Sequence, residues 1–127
     1  LQIEARILGE MALNEILPVA ITYQNQLIEN VKGLKEIGLN KEAYASQLDL
    51  ISRISDHVNV MEQDVRNMIE ARKVCNVIEH ASEKAKAYCD KVKPYFDTIR
   101  YHADKLELLV DDKIWPMPKY RELLFLK

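Results

Sequence analysis

The side chains of this sequence best suited to chemistry are three histidines, two cysteines and a few paired acids, and their spacing limits what each can do. A di-iron bundle site needs Glu-x-x-His on two helices, so that both ligands face inward. Three residues before His57, His80 and His102 stand Ile54, Val77 and Ile99, so that motif is absent, as is His-Glu-x-x-His. His57 and His102 therefore read as ordinary boundary residues between core and surface. Cys75 and Cys89 lie fourteen positions apart, neither as Cys-x-x-Cys nor beside a histidine at zinc spacing. Cys75 falls on an apolar stripe and reads as a small, inert, buried hydrophobe. Asp111-Asp112 and Glu62 with Asp64 are acid pairs, but catalytic carboxylates need a cleft and a perturbed environment, and these read as solvated. Arg100 and Asp104 at i and i+4, with Asp97 and Glu107, read as a stabilising charge ladder. There is no Gly-rich phosphate loop and no Gly-x-Ser-x-Gly elbow. The residues predict no catalytic, cofactor-binding or metal-ligating position.

The elements that would position such groups are helices. Only three Gly and four Pro occur in 127 residues, which excludes a turn-rich sandwich or barrel. The hydrophobic share of 48% argues against disorder, and a net charge of −2 argues against a nucleic-acid footprint. The longest apolar run, Ile16 to Ile21, is six residues, where a membrane span needs roughly 20. Two cysteines without a secretory signal point to a reducing, cytoplasmic compartment. Because the chain begins at Leu1 and is in helical register by Ile3, it reads as a fragment of a longer protein.

Three stripes organise the chain into one domain over residues 1–127. From about Ile3 to Ile37 the apolar positions Leu13, Leu17, Ala20, Leu27, Val31 and Leu34 alternate steps of three and four, with Gln24 the one polar interruption. Ile3, Ile7, Leu8 and Met11 widen that stripe upstream. Pro18 removes a hydrogen bond and crowds the carbonyl of Asn14, which predicts a kink. Gly38-Leu39-Asn40 reads as a helix stop followed by an Asn N-cap. A second stripe follows through Tyr44, Leu48, Ile51, Ile54, Val58, Met61, Val65, Met68, Arg72 and Cys75, with no Pro or Gly, which predicts a helix of roughly 45 Å. Its opposite face, from Arg53 through Asp56, Glu62, Asp64 and Arg66 to Glu70, reads as solvated. Ser82 reads as the next N-cap, opening a third stripe through Ala85, Tyr88, Val92, Phe96, Ile99, His102 or Ala103, Leu106 and Val110. Pro94 either kinks this third helix or opens a new one at its first turn. The expected fold is all-α, an antiparallel bundle of three long helices with a Pro/aromatic tail at residues 115–127.

Apolar residues at the two ends exceed what one small bundle can cover. Ile3, Ile7 and Met11 at one end and Trp115, Tyr120, Leu123 and Phe125 at the other are the interface candidates, and the tail is expected to dock with Trp115 as its anchor.

Several stretches bear a family likeness. They are Glu4-Ala5-Arg6-Ile7-Leu8-Gly9-Glu10, Pro18 followed by Tyr23-Gln24 and Leu27-Ile28-Glu29-Asn30-Val31, then Met68-Ile69-Glu70-Ala71-Arg72-Lys73, then Ala87-Tyr88-Cys89-Asp90 through Lys93-Pro94-Tyr95-Phe96-Asp97 to Glu107, then Trp115-Pro116-Met117-Pro118-Lys119-Tyr120-Arg121-Glu122-Leu123-Leu124-Phe125. In these the chain resembles the C-terminal helical region of type III glutamine synthetases. The likeness runs over nearly the whole chain, is most specific over the last forty residues, and departs from the pattern at Glu15, where many relatives carry His. It implies a parent that joins ammonia to glutamate with ATP and Mg or Mn, in stacked hexameric rings, with its metal ligands and nucleotide site in other domains. No position here matches a catalytic motif. The expectation is thus a non-catalytic fragment, without a cofactor of its own, that packs on the catalytic domain of its chain or on neighbouring subunits and binds neither nucleic acid nor membrane. The alternative is an autonomous helical module that captures a partner helix.

Overall fold

The two prolines and one glycine set the joints of the chain. A computed structural model describes residues 2–111 and 113–116. The first rod comprises α1 (Gln2–Met11), a π-helical turn (Ala12–Ile16) and α2 (Leu17–Glu36). Pro18 has no N–H to give to Asn14 and crowds its carbonyl, and the preceding turn is widened: the Leu17 N–H reaches back five residues to the Ala12 carbonyl. The expected kink therefore takes the form of a π-turn within a continuous rod. One extra residue in a turn advances the buried face, so the neighbours Ile16 and Leu17 are both buried.

Gly38 ends the rod as expected. Its φ of +91° is a conformation other residues rarely adopt. Leu39 N–H bonds the Leu34 carbonyl and Gly38 N–H the Lys35 carbonyl, the paired bonds of a Schellman stop. Asn40 sits at the cap position with extended backbone, but its side chain makes no cap bond. A 3₁₀ turn (Lys41–Tyr44) follows instead.

Helix α3 (Ala45–Asn76) runs unbroken for 32 residues. The second stripe is correct along it, with Ile54, Met61, Val65, Met68 and Cys75 buried. Asp64 corrects the reading of the opposite face as wholly solvated, since it is half-buried with one carboxylate oxygen enclosed. Exposed pairs Asp49–Arg53 and Glu62–Arg66 lace the outer face, each adding a few tenths of a kcal/mol at most.

The next break comes at residues 77–80, and the N-cap is His80 rather than Ser82, which lies one residue inside α4 (Ala81–Ala87). A second π-turn (Tyr88–Val92) then leads into α5 (Lys93–Leu109). Here the Lys93 N–H reaches the Tyr88 carbonyl, and Pro94 lies in the first turn of α5. Both prolines thus have the same local solution. The third stripe is buried from Tyr88 to Val110, except that Ala85 is exposed and His102 and Ala103 are half-buried.

The helices are antiparallel, as the cross-links show. Gln24 on α2 meets Ile51 and Ser55 on α3, while Asn30, further along α2, meets Gln47, earlier on α3. Likewise His57 faces His102, and Tyr88 donates to Asn76. The polar interruption at Gln24 has a cause: its amide donates to the Ile51 carbonyl (2.9 Å) and to Ser55 Oγ (2.7 Å), so a buried edge of the α2–α3 seam is satisfied rather than apolar. Helix α3 is the central element, flanked by α2 and α1 on one side and by α5 on the other.

Candidate docking groove

Small residues place α1. Ala5, Gly9 and Ala12 recur every three or four positions and are buried against α3. A Cβ built on Gly9 would lie 3.7 Å from both Val65 Cγ1 and Met68 Cε, so the two backbones run close along this seam. With small residues on the seam, the bulky side chains of α1 are turned away from it. Ile3 is 72% and Ile7 54% exposed, which corrects the reading that they widen the buried stripe, while Leu8 and Met11 are half-buried.

The displaced side chains form one wall of an open groove of about 350 Å³. Ile7, Leu8 and Met11 supply that wall, Ile99 and Ala103 of α5 the other, and Trp115 closes one part of it. Of the interface candidates, the structure therefore brings Ile7, Met11 and Trp115 together and leaves Ile3 outside. Trp115 is 8% exposed and belongs to the main core, with its N–H bonded to the Asp111 carbonyl. Tyr120, Leu123 and Phe125, and all of the tail after residue 116, lie outside the described residues.

Charge is confined to the rim. Among the described residues Glu4, Asp104 and Glu107 stand there with one cation, Arg100, so the apolar trough has an acidic border. Arg100 and Asp104 form no ion pair, which corrects the expected charge ladder. Sequence reasoning missed this rim because Asp104 and Arg100 follow the rhythm of a solvated face. Only the nearness of α1 makes them the border of a concavity. A smaller cavity of about 170 Å³ lies on the other flank of α1, between Arg6, Leu13, Met68 and Arg72.

The groove is open and lined mainly by aliphatic side chains. Cys75 is buried as expected, whereas Cys89 is exposed. Among the described residues no three His, Cys, Asp or Glu side chains are grouped so as to hold a metal ion, and no helix is long and apolar enough to cross a membrane. The arrangement is suited to burying an apolar surface.

Similarity to known proteins agrees with the motifs quoted above. Residues 1–35, which include α1 and most of α2, match the family model of the glutamine synthetase C-terminal domain. The chain is 51% identical to a glutamine synthetase of Bacteroides fragilis (strain YCH46), over 99% of this chain. It is 25% identical, over its whole length, to the type-3 glutamine synthetase of Dictyostelium discoideum, and 24% identical over 98% of its length to a glutamine synthetase of Butyrivibrio fibrisolvens. It spans about 18% of the length of each. A three-helix bundle that matches the glutamine synthetase C-terminal domain along its first rod, and aligns end to end with under a fifth of each relative, is similar to the C-terminal region of glutamine synthetases.

Proposed function

We infer that this chain is a non-catalytic, structural domain of a type III, cytoplasmic glutamine synthetase, and that it docks on the rest of that enzyme. The observation that carries the reading is the 51% identity across 99% of the chain to a glutamine synthetase. In the parent, ATP-dependent ligation of ammonia to glutamate would use ATP and Mg or Mn bound by other domains, and this domain would bring no ligand to them. Its partner would be the catalytic domain of the same polypeptide or a neighbouring subunit, received at the groove beside α1. Ile3 and Ile7 support this placement, because two isoleucines more than half exposed on one helix are costly in water and gain by association.

The test is made in the full-length polypeptide. Ile3→Asp with Ile7→Asp should lower the assembled mass measured by light scattering and reduce glutamine formation. The same changes in the 127-residue chain should leave its helical circular dichroism unchanged. A full-length variant that keeps its mass and its ligation rate would overturn the docking role. Glutamine formation by the 127-residue chain alone would overturn the non-catalytic one.

A further inference from the structure

We propose that His57 and His102 form a proton-sharing clamp between α3 and α5 that closes with zero or one added proton and opens with two. Their Nδ1 atoms are 2.9 Å apart and half-buried, with ring centroids 5.2 Å apart and planes tilted by 53°. A contact this short between two imidazole nitrogens requires one to carry hydrogen and the other a bare lone pair. Among the described residues no third His, Cys, Asp or Glu joins the pair to hold a metal ion, and the 2.9 Å separation is that of a shared hydrogen bond.

The sequence of protonation follows from the surroundings. Burial, then the neighbouring His102, hold the titration of His57 below the usual 6.5. The charged groups acting on His57 come from both helices: Asp56 favours its protonation, while Lys105 of α5 and Arg53 of α3 oppose it. Tyr101 adds a ring edge against His102, with the Lys105 ammonium 5.3 Å over the Tyr101 ring. With His57 held back, the first proton is shared by the pair, and the Nδ1–H of the charged partner donates to the bare Nδ1 of His57 in a charge-assisted bond. His57 then carries its own hydrogen on Nε2, so the second proton from solvent can only land on Nδ1. That proton fills the accepting lone pair and sets two N–H groups and two positive charges face to face. The seam between α3 and α5 must part there or lose the proton.

The direction of the stability effect is fixed by the same facts. A histidine whose folded value lies below 6.5 binds protons more readily when unfolded. Its contribution is therefore complete above pH 6.5 and is lost as pH falls through the window below that value.

Ring-nitrogen NMR on the 127-residue chain tests the clamp. Two separate titration steps should appear, the second below 6.5 and belonging to His57. Below the second step, amide protection of α5 around His102 should fall at least tenfold relative to that of α2. In His102→Asn the His57 midpoint should rise as the opposing charge is removed. A single shared midpoint at the ordinary value, or α5 protection that does not change across the titration, would overturn the proposal. So would a His57 midpoint that stays put in a folded His102→Asn chain, and if that variant fails to fold, the wild-type titration decides alone.

Discussion

Two seams of helix α3, those with α5 and with α1, are built on opposite plans. Against α5 it meets bulky side chains, with Ile99 and Leu106 fully buried and Phe96 nearly so, and the stabilisation comes from apolar area. Against α1 it meets Ala5, Gly9 and Ala12, so the backbones approach closely and little area is buried per residue. The contrast teaches why the groove exists. A seam of large residues consumes the apolar face that makes it, whereas a seam of small ones turns the large residues of the same helix outward. On α1 those are Ile3 and Ile7, left in water beside the groove. One seam buries bulky apolar side chains, and the other leaves an apolar surface open.

That contrast can be broken by substitution. The largest effect is expected at Ile99→Ala, where a fully enclosed side chain would leave a cavity between α5 and α3. A loss of about 2–5 kcal/mol in denaturant-unfolding free energy should result. A loss under about 1 kcal/mol would mean that the bulky seam is not what holds the bundle. Next comes Gly9, which separates the two plans at one position. A Cβ there would make ordinary 3.7 Å contacts, so Gly9→Ala should be neutral or gain up to about 1 kcal/mol from helix propensity. Gly9→Leu should instead wedge α1 off α3 and cost about 1–3 kcal/mol. Equal tolerance of both would show that α1 is not closely seated. The smallest effect belongs to Ile7→Ser. With the side chain more than half exposed, stability of the 127-residue chain should stay within about 0.5 kcal/mol. A larger loss would make Ile7 part of the core rather than part of a docking wall.

Much of the fold was legible because helices obey local rules. Gly38, the only one of the described residues with positive φ, ends the first rod where the sequence put the stop, and the stripe from Tyr44 to Cys75 marks the inward face of α3. Pro18 and Pro94 announced distortions through the missing N–H. Their form as π-turns depends on how a turn relaxes, which no periodicity encodes. Ser82 failed as a cap for a related reason: several polar residues near 80 could open a helix, and the end of α3 at Asn76 left that place to His80. The candidate site was legible only in part. Ile7, Met11 and Trp115 were visible as apolar residues in excess of one core, but counting large side chains hid Ala5 and Gly9, whose smallness is the reason that α1 lies where it does.

The sequence by itself determined three helical rods, their joints and their inward faces, because each rests on hydrogen bonds and sterics within a few residues. It also carried the family likeness, because that is a matter of residue identity. Tertiary structure alone decided which residues separated by 45 positions or more share a surface. It set His57 against His102, and it set Ile7 and Met11 of α1 across from Ile99 and Ala103 of α5. Those pairings depend on the relative translation and rotation of packed rods. That degree of freedom is fixed by how whole side-chain surfaces interlock, to which each residue adds only a small and non-local share.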